Sequence, residues 1–152
     1  MKRLVIVWGL LFGLFYTGAT QTLIEKDSLY YMDSQLYSGD YSTYYETGKV
    51  KMEARFINGK KDRISRIYFE NGRLNEIRSY KNNQMHGTWT MFNENGGKTS
   101  VAGYKNGLKH GKWFIWNDNR ILIYELKYKN GQKSGVWKSY DENGALISQR
   151  KY

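Results

Sequence analysis

Gly87, Gly111 and Gly135 stand 24 residues apart, and the same step back reaches Arg63 and Gly39 without an insertion. Other columns keep that phase. Two residues after the leading position come Tyr41, Ser65, Trp89, Trp113 and Trp137, and three further on come Tyr44, Tyr68, Phe92, Trp116 and Tyr140. An acidic column follows at Glu46, Glu70, Glu94, Asp118 and Glu142, then Gly48, Gly72, Gly96, Arg120 and Gly144; an aromatic closes each unit at Phe56, Tyr80, Tyr104, Tyr128 and Tyr152. A chain with this many columns in phase is built of equal modules, each of which contacts mainly its neighbours.

Each unit spells a β-hairpin. Turn signals of the ETG, ENG and DENG type separate two runs rich in aromatic and β-branched residues. Asn58–Gly59, Asn106–Gly107 and Asn130–Gly131 close their units with residues that accept positive φ. The second run alternates with a period of two, as in Leu122, Tyr124, Leu126 and Tyr128. A lone hairpin cannot bury such a face, so hairpins must stack edge to edge. The expectation is an all-β protein: an elongated, twisted, single-layer antiparallel sheet of about five hairpins and ten strands, with equivalent residues roughly 10 Å apart. The repeat domain is expected over 39–152, in units 39–62, 63–86, 87–110, 111–134 and 135–152. Residues 21–38 keep the pattern only in part and read as an N-terminal cap, with strands near Leu29 to Met32 and Leu36 to Tyr37.

The first residues are of another kind. Lys2 and Arg3 precede the apolar run Leu4 to Tyr16, and small residues lead into polar sequence at Gln21. That order predicts a signal-peptide helix over 1–20, cleaved near Ala19 or Thr20, and hence an exported protein, periplasmic, envelope-bound or secreted. The formal net charge of +10 favours anionic partners, and loss of Lys2 and Arg3 leaves +8. With no Cys, disulfides, thiol nucleophiles and Cys-based metal sites are excluded.

The segments GKWFIWNDN, GVWKSYDENGAL and YKNGLKHGKW resemble the MORN-type repeat, in its bacterial variant G-x-W-x-x-Y-x-x-N-G and Y-x-N-G-x-x-x-G, whose members are often labelled YwqK-family antitoxins. The resemblance covers Gly39 to Tyr152. It implies an elongated sheet used in protein interaction, with lipid contact in some members, and carries no catalytic residues or cofactor. Departures fall at Arg63 and Ser65, Asn83, Lys98 and Arg120. Arg120 at a hairpin Gly position implies strain or a different turn, and the second unit is expected to pack least well.

His86 and His110 share one loop position, too far apart to ligate a common metal, and read as loop residues. The acidic column opens one exposed turn per hairpin, which is not the arrangement of a catalytic pair. Neither a catalytic nor a metal site is therefore assigned. Trp89, Trp113 and Trp137, with Tyr80, Tyr104 and Tyr128, offer either a stacking platform or the sheet's own packing. Two basic columns recur: Lys81, Lys105 and Lys129 after the closing aromatic, and Lys61, Lys109 and Lys133 before the next unit. They suit an anionic partner or a solvated edge. The expected partner is a protein, with an anionic envelope component or a toxin as alternatives; nucleic acid is not the expected partner if the chain is exported. Oligomeric state is not encoded in these signals.

Overall fold

The computed structural model describes residues 22–152; the candidate signal peptide lies outside them. A three-stranded cap comes first, β1 (Ile24–Lys26), β2 (Leu29–Met32) and β3 (Gln35–Leu36). It has one strand more than the sequence pattern suggested. Its turns, Asp27–Ser28 and Asp33–Ser34, have positive φ at both residues, as a type I′ hairpin turn requires.

The rest is one antiparallel sheet. In chain order it contains β4 (Gly39–Tyr44), β5 (Val50–Ile57), β6 (Lys60–Lys61), β7 (Arg63–Tyr68), β8 (Leu74–Lys81), β9 (Gln84–Met85) and β10 (Gly87–Phe92). It continues with β11 (Lys98–Lys105), β12 (Leu108–Trp116), β13 (Leu122–Lys129), β14 (Gln132–Lys133), β15 (Val136–Tyr140) and β16 (Leu146–Lys151). The ten long strands lie side by side in chain order, as the stacking argument requires, and β6, β9 and β14 each fold back on the end of the strand before them. Each hairpin carries a register shift beside its second aromatic, at Tyr44, Tyr68, Phe92, Trp116 and Tyr140. Three residues on from the Trp column, that ring lies on the opposite face by simple alternation, a face it shares with Phe114 (Phe114–Trp116, 5.9 Å between centroids).

Neighbouring units are tied at both ends. The turn amide of one unit donates to the backbone of the previous one: Gly59 to Tyr37, Asn83 to Lys61, Gly107 to Met85 and Gly131 to Lys109, all at 2.8–2.9 Å. Side chains one position further on accept from the preceding turn residue, as Ser38 does from Asn58 and Asp62 from Asn82. His86 and His110 have this job: Nδ1 of each accepts from the backbone N–H of Asn106 or Asn130 at 3.4 Å.

Most inter-unit joints split their pairing between two strands, whereas β12 continues as one strand from Leu108 to Trp116, through a register shift against β11 between Ala102 and Tyr104. Gly103 permits this. A Cβ there would overlap the His110 carbonyl oxygen, and the other units place Arg55, Ser79 and Lys127 at that position.

The two Arg residues at glycine positions keep the turns of their neighbours. Arg63 has φ 65° and Arg120 φ 63°, and the Arg120 N–H donates to the Asn117 carbonyl at 2.9 Å as Gly96 does to Asn93. Strain, not a new turn type, is therefore the outcome; the left-handed region costs a residue with a Cβ about 1–2 kcal/mol.

A sheet with two open faces has little interior. Among the described residues the buried apolar side chains are Ala54, Phe56 and Ala102, and Phe56, at 1% exposure, is the deepest. Two of the three lie in the first unit, and buried Ser65 (3%) lies in the second. The second unit is thus not the loosest: the cap folds over this end, with Tyr30 and Tyr37 against Phe56 (4.7 and 5.8 Å between centroids).

Candidate interaction surface

Along one face the closing tyrosines and the tryptophans form a continuous ladder. Its order is Tyr80, Trp89, Tyr104, Trp113, Tyr128, Trp137, Tyr152, with successive centroids 5.6, 5.2, 5.2, 5.2, 5.1 and 4.9 Å apart and planes tilted by 50–61°. Tilted contacts set ring edges against ring faces, the favoured quadrupole arrangement. The spacing follows from the hairpin. Cross-strand pairing sets Trp113 opposite Leu126 on one side and Ala102 on the other, and Gly111 opposite Tyr128, so the indole lies between two tyrosines.

Each indole is also fixed at its polar end. Nε1–H of Trp89 donates to the Ser79 carbonyl, that of Trp113 to Gly103 and that of Trp137 to Lys127, at 3.1, 3.0 and 2.8 Å. Each acceptor belongs to the preceding unit. These three tryptophans therefore pack the sheet and orient it, while remaining half-exposed along one face.

The lysines that follow each closing turn lie over the rungs. Lys109 Nζ is 4.6 Å from the Trp113 centroid and 5.0 Å from that of Tyr128; Lys133 Nζ is 4.5 Å from Trp137 and 4.7 Å from Tyr152. A cation over a ring face gains from the ring's quadrupole. Lys81, Lys105 and Lys129 point elsewhere. Across each two-residue turn Lys129 pairs with Gln132 and Tyr128 with Lys133, so the closing lysines occupy the face opposite the ladder, where all three are exposed. The two basic columns thus serve different faces.

At the second unit the ladder has no Trp. Lys61 nevertheless sits as its equivalents do, 5.8 Å from the Tyr80 centroid and 5.0 Å from Tyr30. Tyr30, from the cap, occupies the slot that Ser65 leaves open, against Phe56 on one side and near Tyr80 on the other. Burial, with a hydrogen bond to Glu25, raises the Tyr30 hydroxyl pKa well above its ordinary range, and burial lowers that of the Lys61 ammonium. Asn83 ties the cap down by donating to the Ser28 carbonyl and accepting from the Lys61 N–H. Nothing in the repeat register marks Tyr30 for this role.

The acidic column lies exposed at separate hairpin tips. No group of three or more potential metal ligands occurs among the described residues.

The family model for the MORN repeat variant matches residues 37–58, 64–82, 85–106 and 133–152. The chain belongs to this family. No curated protein matches the chain. Members of this family are typically non-enzymatic, and their repeats serve as a binding surface. In this MORN repeat protein the unmatched interval, 107–132, has the same hairpin register as the rest and includes Trp113, Trp116 and Arg120.

Proposed function

We propose that this chain is an exported, non-enzymatic MORN repeat protein whose ladder face is an extended protein-interaction surface. The observation that carries the reading is the ladder itself: half-exposed rings in one line, with orientation fixed by indole hydrogen bonds and flanked by lysines. Rigid aromatics lose little conformational entropy on binding, and aromatic residues are enriched at interface centres. Exposed Met91 and Tyr124 widen the apolar strip beside it. Lys2, Arg3 and the run Leu4 to Tyr16 support export.

Cell fractionation with the intact mass of the native chain tests export. A chain lacking its first 19 or 20 residues in an envelope or secreted fraction is the expected result. A full-length cytosolic chain would overturn export and turn attention to a toxin partner. Cross-linking of the native protein in its own compartment tests the surface: partner cross-links are expected at Lys109 and Lys133. Cross-links confined to Lys81, Lys105 and Lys129 would place the partner on the other face.

That opposite face supports a second reading. Its exposed Lys81, Lys105 and Lys129 suit an anionic envelope component, whose binding weakens steeply as salt rises.

A further inference from the structure

Four positions where the chain leaves its own repeat pattern meet at one cleft of about 290 Å³ between the tips of the third and fourth hairpins. Gly97 takes the place of Lys49 and Arg73. Lys98 replaces an aliphatic residue, Val50 or Leu74 in the preceding units, and Trp116 is the sole Trp of its column. Arg120 replaces a turn glycine. The repeat architecture needs none of these changes, since the other units form the same hairpin without them.

Each change alters the cleft in one direction. Gly97 gives Arg120 room: a Cβ there would stand 3.3 Å from Arg120 Nε. Lys98 and Arg120 place two cations on its walls, and among the described residues neither makes an ion pair, unlike Arg55 with Asp40 or Arg78 with Glu76. Trp116 supplies a flat wall. Its indole N–H has no acceptor among the described residues, whereas the three ladder tryptophans each donate to a backbone carbonyl. The fourth unit, which contributes Trp116 and Arg120, is also the one that the family model passes over.

We infer that this cleft is a binding site for an acidic sugar, a pyranose ring bearing a carboxylate. The apolar face of such a ring stacks on Trp116, the free indole N–H meets a hydroxyl, and the carboxylate lies between Lys98 and the planar guanidinium of Arg120. A bare inorganic anion would use the cations and leave the Trp wall idle. This site goes beyond the ladder-face reading and does not depend on it.

The test is titration of the full chain with galacturonic acid trimer, followed by NMR of the indole N–H signals, with galactose trimer and a nucleoside monophosphate as comparisons. The Trp116 signal, assigned by its loss in Trp116→Phe, is expected to move with the acidic trimer and not with the neutral one. Arg120→Gly and Lys98→Leu restore the repeat's own residues, so each should keep the fold while weakening binding about tenfold, as loss of a charge-assisted hydrogen bond does. Unchanged affinity in both variants would overturn the proposal. So would a Trp116 signal that stays put up to about 10 mM acidic trimer, where even a millimolar site is filled, or a preference for the nucleotide or the neutral sugar.

Discussion

From the third unit onward each Trp lies between two tyrosines of the same sheet, whereas between Phe56 and Tyr80 the equivalent position is Ser65 and the ring comes from Tyr30 in the cap. The two arrangements place a ring, a lysine and a closing tyrosine in the same relation. They differ in connectivity: one is local to a hairpin and repeats, the other joins an irregular segment to the repeats and can occur once. The slot thus belongs to the geometry of the sheet, and its ring can come from elsewhere in the chain. Ser65 is legible in this light as the residue that makes room, at the expense of a buried hydroxyl without a hydrogen-bond partner among the described residues.

Substitutions separate the two arrangements. Trp113→Ala should have the largest effect, a loss of about 2–3 kcal/mol in denaturant unfolding, below the range for a fully buried large aromatic because the ring is half-exposed. Tyr30→Ala should lose about 2 kcal/mol and loosen the cap, seen as faster amide exchange at Tyr30 and Gly59, whose N–H groups hold the cap to the first unit. If Tyr30→Ala leaves both unfolding and exchange unchanged, the ring does not fill the Ser65 slot. Arg120→Gly should stabilise by about 0.5–1 kcal/mol, the left-handed strain relieved less the added freedom of an unfolded glycine.

The pH response should be the smallest effect and involve both regions. Burial raises the hydroxyl pKa of Tyr30 and Tyr104, and Tyr68 is raised first by its hydrogen bond to Glu53 and then by burial. A group whose folded pKa lies above its unfolded value stabilises fully below the unfolded value, 10.0 for tyrosine, and loses that contribution as pH climbs through the folded value. Thermal midpoints should therefore fall above pH 10, with tyrosine absorbance showing part of the population ionising late. Ionisation of every tyrosine in the ordinary range would contradict the burial of these rings.

The hairpins, their chain-order stacking and the Trp and Tyr columns were legible in the sequence, because a period of 24 with turn residues in phase leaves a sheet few alternatives. The split of the lysines between faces was legible in principle: a two-residue turn pairs Lys129 with Gln132 and so sets Lys133 beside Tyr128. It requires counting across the turn as well as along the strand. Tyr30 could not be read in advance, since its slot lies in another unit and the cap is outside the repeat phase. Lys98 and Arg120 stood out one by one as departures, but their meeting around Trp116 depends on how one hairpin tip leans on the next.

The unbroken β12 has a mechanical consequence. Where the strand is interrupted between the two pairings of a joint, the joint can yield under bending or tension, whereas the third and fourth hairpins, joined by a strand that runs on through its register shift where Gly103 brings the backbones close, should behave as a splint in the middle of a compliant ribbon. A pulling force along the sheet would then open the outer joints first and leave the central pair, with the cleft between its tips, intact as the last mechanical unit.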